Sequence, residues 1–323
     1  MRAPDFWDRK DLWSRLAVAA LTPAGWIYGA VVAHKARRAA PYRSSAAVIC
    51  VGNLTAGGTG KTPVAIAIAQ ALIVRGRRPF FLSRGYGGRL QGPVRVMQEH
   101  SATDVGDEPL LLAAAAPVIV SRDRRKGAEL AAAQGADAIV MDDGHQNFSL
   151  AKDLSLVVVD AETQFGNGRI LPAGPLREFV GRGLARADAV IVVGEGVVKL
   201  PGFDGPVLRA HMAHIDVPDL KGRRVVGFAG IGRPEKFFRS LQAFGAQIVV
   251  TKRFGDHHIY TLSEIARLKA TARSEDALLV TTEKDYVRMT ATERMGIAVL
   301  PVRAAIDDPQ ALGRLLDRLR APL

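Results

Sequence analysis

The chain has 323 residues, 48% of them hydrophobic and 24% charged, a composition that excludes a disordered or fibrous protein. Its single cysteine, Cys50, excludes an internal disulfide and suits a reducing compartment. The net charge of +12 favours an anionic partner such as an acidic membrane surface or a phosphorylated substrate. Nucleic acid is not expected as a partner, because the basic residues are scattered and no zinc-finger, RRM or basic-zipper pattern is present.

The first 45 residues differ from the rest of the chain. They contain all three tryptophans, and eight Lys or Arg residues against three Asp. Between Arg15 and His34 lie 18 uncharged residues, which is the lower limit for crossing a bilayer. We therefore predict an amphipathic helix within 1–45 that lies in the membrane interface. A helix packed on the protein core and a full membrane span are the alternatives.

From residue 46 onward, short apolar runs alternate with amphipathic stretches, which predicts a parallel sheet with crossover helices. The predicted strands of this part are 46–51, 79–83, 117–121, 137–142, 154–160 and 188–193. The predicted helices are 62–75, 107–116, 124–134 and 176–186. A segment rich in Gly, Pro and Asp at about 195–222 then predicts a linker.

Beyond the linker the alternation of strands and helices resumes. The predicted strands are 224–229, 246–251, 277–281 and 297–302, and the predicted helices are 234–244, 261–272 and 308–320. The sequence therefore predicts an α/β core domain over 46–210 and a second, smaller α/β domain over 222–323.

The stretch VGNLTAGGTGKTP follows the first predicted strand and opens the first predicted helix. A glycine-rich turn in this position lets successive backbone N–H groups converge on a phosphate chain, because no side chain blocks their approach. Lys61 supplies positive charge to the β- and γ-phosphates, and the Thr62 hydroxyl can ligate Mg²⁺. We therefore predict a P-loop NTPase-like core that binds ATP and Mg²⁺ through Thr55, Ala56, Gly57, Gly58, Thr59, Gly60, Lys61 and Thr62.

This loop departs from the usual P-loop pattern at its first position, where Thr55 replaces glycine. Its glycine pair is similar to the KGGxGKT variant of membrane-associated P-loop switch ATPases, whose signature lysine falls at Ala56 here. The missing lysine counts against that class. A switch ATPase that transfers phosphate only to water is therefore the alternative function.

A P-loop enzyme also needs a carboxylate at the end of another strand, to hold Mg²⁺ or its water shell. Asp142 and Asp143 end the predicted strand 137–142, and Asp160 ends the next one and fits equally well by position. We favour the Asp142–Asp143 pair, because the Gly-His-Gln that follows is more polar than a strand end requires. Helix capping or turn formation is the alternative role of these two residues.

Two further segments carry polar groups without a clear role from local pattern alone. Asp107 begins the predicted helix 107–116, where acidic residues are common because the helix dipole favours them. His257 and His258 lie in a predicted loop, and no other His or Cys has a spacing suited to a metal site. The histidine pair is therefore a loop feature, and loops often carry function.

Taken together, these segments resemble one family, the tetraacyldisaccharide 4'-kinases, the lipid A kinases of Gram-negative bacteria. The matching stretches occur in the order of the family between about residues 45 and 288. They are VGNLTAGGTGKTP, LSRGYGG, VGDEPLLLA, DDGHQN, LPAGPLRE, FAGIGRPEKFF, FGDHH and VTTEKDYVR.

The resemblance implies ATP-dependent transfer of the γ-phosphate to the 4'-hydroxyl of a tetraacylated glucosamine disaccharide 1-phosphate, giving lipid IVA in lipid A biosynthesis. It also implies peripheral attachment to the cytoplasmic face of the bacterial inner membrane. The implied partners are the lipid substrate and an anionic membrane surface, and no obligate protein partner is expected. A soluble P-loop kinase of small metabolites would leave the N-terminal segment without a use.

The resemblance also assigns roles to individual residues. Asp107 is implied as the general base, with His257 as the group that orients or tunes it and Lys61 as the catalytic cation. The remaining implied site residues are Asp142 and Asp143 for Mg²⁺–ATP, and Tyr86, Arg177 and Glu178 for the substrate or phosphate region.

Overall fold

The computed structural model describes residues 4–9, 11–215 and 217–320. After a short 3₁₀ turn at Asp5–Trp7, strands and helices alternate along the chain. The strands are β1 (Ala47–Gly52), β2 (Pro79–Ser83), β3 (Val94–Arg95), β4 (Val118–Val120), β5 (Ala138–Asp142), β6 (Leu154–Asp160), β7 (Ala189–Val193), β8 (Val207–Ala213), β9 (Arg224–Ala229), β10 (Gln247–Arg253), β11 (Leu278–Thr282), β12 (Ala298–Leu300) and β13 (Arg303–Ile306). The helices are α1 (Leu12–Arg38), α2 (Lys61–Val74), α3 (Ala102–Val105), α4 (Asp107–Ala113), α5 (Arg124–Ala133), α6 (Val180–Leu184), α7 (Pro234–Ala243), α8 (Leu262–Ser274), α9 (Glu283–Tyr286), α10 (Ala291–Arg294) and α11 (Pro309–Leu316).

Nine strands form the first sheet, in the order β13-β8-β7-β6-β1-β5-β2-β4-β3. Neighbouring strands are parallel except at the two edges, where β13 and β3 run antiparallel to their partners. β1 lies between β5 and β6, so the chain leaves the sheet through the glycine-rich loop beside the ends of both neighbours. In such sheets ligands bind outside the carboxyl ends of the strands where the order reverses. The predicted α/β class with a parallel-dominated sheet is confirmed.

The central strand β1 has the sequence AVICVG, and every residue in it is buried. Ile49 and Val51 pack with Ile68 and Leu72 of α2 on one face of the sheet. Val48 packs into a second apolar cluster on the other face. Because both faces are covered, β1 is a continuous apolar run rather than an alternating one, as expected for a central parallel strand.

A second, four-stranded sheet has the order β10-β9-β11-β12 and is parallel throughout. We call the first sheet with its helices the first lobe, and this sheet with α7 to α10 the second lobe. The predicted division at 195–222 differs from the structure in two details. β8 joins the first sheet from within the predicted linker, and β13 and α11 return to the first lobe. Residue 216 of the predicted linker and residues 321–323 lie outside the described residues, and the division into domains stays a prediction.

Helix α1 covers 27 residues, and its charged residues lie near the two ends. Its buried residues are the small ones, Ser14, Gly25 and Gly29, whereas Trp13 and Ile27 are 81% and 68% exposed. The helix is therefore apolar over most of its surface rather than amphipathic as predicted. Among the described residues it is the one helix long and apolar enough to cross a membrane, judged by length and composition.

Candidate active site

A large cavity of about 1710 Å³ lies between the two lobes. The first lobe lines it with the glycine-rich loop, the ends of β5 and β6, and Tyr28 of α1. The second lobe lines it with the start of α7, His257 and the segment 282–287. The cavity therefore brings together segments that are more than 200 residues apart in the chain.

The backbone of the glycine-rich loop has an open concave surface. Gly57 and Gly60 have φ values of 116° and 84°, which only glycine adopts without strain. A Cβ atom added at Gly57 or Gly58 would meet no atom within 4 Å. The space in front of these two residues is thus free to hold a phosphate chain at the N-terminus of α2, where the helix dipole favours negative charge.

The position of Thr55, where the usual P-loop pattern has glycine, does not need a glycine. Thr55 forms an antiparallel bridge with Leu176, and its φ is not positive. Next to it, Ala56 N donates to Pro175 O at 2.7 Å. The LPAGPLRE segment therefore runs alongside the loop and holds its first residues in an extended conformation, which any L-residue adopts.

Lys61 lies in an ion network at the start of α2. Its Nζ is 3.7 Å from Asp143 Oδ1, and Arg177 Nη1 donates to the same oxygen at 2.7 Å. Burial alone would raise the pKa of Asp143, but Lys61 and Arg177 outweigh it and hold the pKa at about 2. Asp143 also has a φ of 54°, a left-handed conformation that is uncommon outside glycine and often marks a functional site.

Asp142 faces Thr62 across the base of the loop. Thr62 Oγ1 donates to Asp142 Oδ2 at 3.2 Å, whereas the buried Oδ1 has no hydrogen-bond partner among the described residues. Burial and the charges of Glu108 and Asp143 raise the pKa of Asp142 to about 7. A buried carboxylate oxygen without a partner, next to a hydroxyl, fits one side of a Mg²⁺ shell. Among the described residues, no group of three or more acidic, His or Cys side chains is arranged to hold a metal ion by itself.

Both carboxylate oxygens of Asp160, the alternative acid, already accept hydrogen bonds. Its Oδ1 accepts from the backbone N–H groups of Glu162 and Thr163. Its Oδ2 accepts from Lys236 Nζ at 2.8 Å and from Arg233 Nη1 at 3.3 Å, both from the second lobe. Asp160 therefore links the lobes, and Asp142 offers the more available oxygen for a cation.

Asp107 and His257 meet across the cleft. His257 Nδ1 lies 2.9 Å from Asp107 Oδ2, although the two residues are 150 positions apart. His257 lines the cavity and has a φ of 58°, whereas Asp107 is 4% exposed and lies behind it at the start of α4. Gly106, the residue before Asp107, has a φ of 90°, which favours glycine. A Cβ atom at this position would also clash with Tyr86 O.

The electrostatic environment keeps Asp107 ionised. Burial alone would raise its pKa. The hydrogen bond with His257 and the charges of Lys284 and Arg288 outweigh this effect and hold the pKa below the ordinary value for a carboxyl. Lys284 Nζ also pairs with Glu108 Oε1 at 3.2 Å, so cations of the second lobe meet both acids at the start of α4.

The three residues assigned to the substrate region lie in different places. Tyr86 is 60% exposed in the cavity, with its ring centroid 5.5 Å from that of His257. Arg177 lines the cavity and pairs with Asp143. Glu178 does not line it: the carboxylate is buried and accepts 2.7 Å hydrogen bonds from Arg186 Nη2.

Glu178 supports the loop from below through a chain of hydrogen bonds. Gln146 Nε2 donates to Glu178 Oε1 and to Asn53 O, both at 2.9 Å. Asn53 Nδ2 in turn donates to Thr59 Oγ1 at 3.1 Å. Glu178 therefore acts on the glycine-rich loop through two intervening side chains.

Sequence reasoning missed several residues of the cleft. Arg124 is buried, lines the cavity and has a pKa lowered to about 10 by burial and the neighbouring Arg84. Lys284 and Arg288 supply the cations around Asp107. They belong to the matching stretch VTTEKDYVR, which could have directed attention to them. Arg124 had no comparable signal, since it starts a helix among other arginines.

Comparisons with known proteins point to one family. The family model described as Tetraacyldisaccharide-1-P 4'-kinase matches residues 17–320. The tetraacyldisaccharide 4'-kinase of Paramagnetospirillum magneticum is 51% identical over 99% of both chains. That of Rhodospirillum rubrum is 49% identical, covering 99% of this chain and 98% of the relative. A solved structure of "apo" form LpxK from Aquifex aeolicus in complex with ATP is 26% identical with a TM-score of 0.77, covering 93% of this chain and 98% of that chain.

Proposed function

The chain belongs to the tetraacyldisaccharide-1-P 4'-kinase family, and we propose that the cleft between its lobes is where it transfers phosphate from ATP to the lipid. The protein is an ATP-dependent kinase of lipid A biosynthesis that phosphorylates the 4'-hydroxyl of a tetraacylated glucosamine disaccharide 1-phosphate. The observation that carries the assignment of the cleft is the 2.9 Å contact between Asp107 and His257, made beside the cavity that the glycine-rich loop lines.

The phosphates of ATP occupy the open space in front of Gly57 and Gly58. The backbone N–H groups of the loop and the N-terminus of α2 bind the phosphate oxygens, and Lys61 lies at the start of the same helix. Lys61 then neutralises charge that develops on the transferred group. The existing contact of Lys61 with Asp143 keeps the ammonium close to the loop before nucleotide binds.

Thr62 and Asp142 would hold Mg²⁺. The support for this role is the partnerless Oδ1 of Asp142 and its contact with the Thr62 hydroxyl. When bound, the ion would neutralise negative charge on the β- and γ-phosphates. Asp143 remains with Lys61 and Arg177 and orients both cations.

The acceptor hydroxyl loses its proton to Asp107 as it attacks. A bond forms between the hydroxyl oxygen and the γ-phosphorus, the bond from that phosphorus to the β,γ-bridging oxygen breaks, and ADP leaves. His257 holds the Asp107 carboxylate in position through its Nδ1. Because His257 belongs to the second lobe, the pair is complete only when the lobes are closed, which also keeps water from the phosphoryl group.

The lipid reaches the cleft along α1. Gly25 and Gly29 pack this helix closely against Ile170 and Phe179, next to the segment that borders the glycine-rich loop. Tyr28 of α1 lines the edge of the cavity, whereas the large apolar side chains of this helix face outward. We infer peripheral attachment at the cytoplasmic face of the inner membrane, where ATP and an anionic lipid surface are both available.

Radiolabelled ATP tests this function directly. The wild-type enzyme, with Mg²⁺ and the acylated disaccharide 1-phosphate in detergent micelles, should transfer label to the lipid only when the acceptor is present. Asp107→Asn should lower kcat by about 10² or more while ATP still binds, because a general base is lost. Asp104→Asn, in the short helix before Asp107, is the matched control.

Two results would contradict the proposal. If label is released only as inorganic phosphate, with or without the lipid acceptor, the result would support the alternative function, a switch ATPase, which the family assignment does not favour. Turnover of Asp107→Asn within about threefold of wild type would exclude Asp107 as the base.

A further inference from the structure

Arg288 of the second lobe extends its side chain into the first lobe. It follows α9, and its side chain is 2% exposed. Its Nε donates to Asp107 Oδ2 at 2.8 Å, and its Nη2 contacts the same oxygen. Its third nitrogen, Nη1, donates to Gly230 O at 2.7 Å and to Asp285 Oδ1 at 2.9 Å. All three guanidinium nitrogens therefore have partners, two of them on Asp107.

The second lobe fixes the position of the guanidinium. Asp285 is fully buried and accepts hydrogen bonds from Gly230 N at 2.9 Å, Tyr260 OH at 2.8 Å and Thr282 Oγ1 at 2.6 Å. These contacts tie β9, the loop before α8 and the end of β11 to one carboxylate. These contacts fix the orientation of the Arg288 guanidinium independently of Asp107. Supporting contacts of this kind hold functional groups in a defined geometry.

We propose that Arg288 is a positioning residue for phosphoryl transfer, which clamps the Asp107 carboxylate to the second lobe and thereby couples lobe closure to assembly of the base. This inference rests on the proposed role of Asp107. Both side chains that orient Asp107, His257 and Arg288, come from the second lobe. The adjacent contact between Lys284 and Glu108 joins the same two surfaces.

The charges around Asp107 define what the loss of Arg288 would do. Cationic groups face it from the second lobe: Arg288, Lys284 and, when protonated, His257. Acidic groups lie in the same region: Glu108 next to it, Asp256 beside His257, and Asp285 behind Arg288. Without the guanidinium, burial and these carboxylates would favour the protonated form of Asp107. Since a base must be ionised to accept a proton, activity would then fail at a higher pH.

The test compares Arg288→Met, Arg288→Lys and the control Arg224→Met in the full-length enzyme. Arg224 also pairs with a carboxylate in the second lobe, but on an exposed surface. We expect Arg288→Met to lower kcat by about 10² and to change KM for ATP by less than about threefold, because the nucleotide is bound by the first lobe. The acid limb of kcat/KM should move up by about one pH unit or more.

Rescue by the conservative variant separates positioning from simple structural support. Arg288→Lys keeps the charge with fewer hydrogen bonds, so it should recover at least about tenfold of the lost kcat and part of the shift in the acid limb. Thermal unfolding and ATP binding are measured for each variant. If Arg288→Met does not fold, Arg288→Gln replaces it, with the same loss and the same shift expected.

The inference is overturned if the neutral variant keeps its kcat within about threefold of wild type. It is equally overturned if the Lys variant and the neutral variant lose activity alike with an unmoved acid limb, since that result assigns Arg288 to folding alone. Either result leaves the proposed function intact when the wild-type enzyme transfers label to the lipid. Absence of that transfer in the wild type would instead contradict the proposed function.

Discussion

Replacing Glu178 by alanine separates a structural role from a substrate-binding role at one position. The family resemblance places Glu178 in the substrate or phosphate region. In the structure its side chain is 3% exposed and accepts hydrogen bonds from Arg186 on both carboxylate oxygens and from Gln146 on one. We therefore expect the substitution to destabilise the fold and to leave lipid binding largely unchanged.

The size of the effect follows from the burial of the pair. Breaking a buried ion pair by removing one partner typically costs about 3–5 kcal/mol. Arg186 is 31% exposed and can recover part of its solvation, so we expect about 2–3 kcal/mol here. For a protein of 323 residues, that loss lowers the thermal unfolding midpoint by roughly 3–5 °C.

Thermal unfolding and steady-state kinetics measure the two effects separately. The control is Glu235→Ala, which removes an ion pair with Arg253 in which both side chains are more than half exposed. Exposed pairs contribute about 0–1 kcal/mol, so this control should change the midpoint by about 1.5 °C at most. In Glu178→Ala, kcat should fall moderately, because Gln146 and Asn53 lose part of their support, while KM for the lipid stays within about threefold.

The reasoning is wrong if Glu178→Ala unfolds at the wild-type temperature and its KM for the lipid rises about tenfold or more. That combination would mean that the carboxylate contacts the substrate, and that the Arg186 contact is not maintained in the working enzyme.

Three further predictions test other parts of the molecule. Gly58→Ala places a methyl group in the open space before the loop, so ATP affinity should fall about tenfold, measured by calorimetry, without a change in thermal stability. Burial lowers the pKa of His145 from 6.5 to about 3; below pH 6.5 the unfolded chain therefore binds a proton that the native protein does not. The contribution of His145 to stability should therefore fall by about 1.4 kcal/mol per unit as the pH decreases, whereas the raised pKa of Asp142 acts in the opposite direction. His145→Asn should remove the His145 contribution, which is measured as the difference in slope from the wild type between pH 6.5 and 5 in urea unfolding. Replacing Leu12, Trp13 and Ile27 of α1 together by glutamine should release the protein from anionic vesicles in sedimentation, because these side chains are 68%, 81% and 68% exposed.

Each of these predictions has a control on the same chain. Gly181→Ala also adds a methyl group in open space, but away from the loop, and equal ATP affinity of the two alanine variants would disprove the phosphate cradle. His211→Asn alters an exposed histidine, and a slope that persists in His145→Asn would mean that other groups carry it. Val197→Gln removes an exposed apolar side chain outside α1. Vesicle binding by the triple variant at the wild-type level would place the membrane contact elsewhere.

The strand, glycine-rich loop and helix to which we assign the nucleotide were predictable because they are contiguous in the chain. A buried strand, a glycine-rich turn and a helix N-terminus follow one another within about 25 residues, and each is specified by local composition. The positions of most strands and helices followed for the same reason. β8 was missed because it lies in a segment rich in Gly and Pro, and β13 was missed because the predicted strand 297–302 ends just before it; β12 and β13 belong to different sheets.

The sequence favoured Asp142 and Asp143 over Asp160 only through the polar residues that follow the pair. Asp142 and Asp160 both end strands that neighbour β1, so position along the chain does not distinguish them. Only the structure shows that Lys236 and Arg233 of the second lobe pair with Asp160, whereas one oxygen of Asp142 has no hydrogen-bond partner in the part of the chain that the structure describes. The apolar N-terminal segment was likewise evident from composition, but which of its residues pack inward depended on the contacts of Gly25 and Gly29.

The sequence by itself therefore determined the strand, the glycine-rich turn and the helix N-terminus to which we assign the phosphates, since strand, turn and helix propensities act between neighbours in the chain. Tertiary structure decided the surroundings of Asp107, the base that we propose. Asp107 alone is indistinguishable from a helix-capping acid, and its role depends on His257 and Arg288, which lie 150 and 181 residues further along the chain. Hydrogen bonds and charge effects act over a few ångströms in space, so the environment that keeps Asp107 ionised exists only when both lobes are folded and in contact.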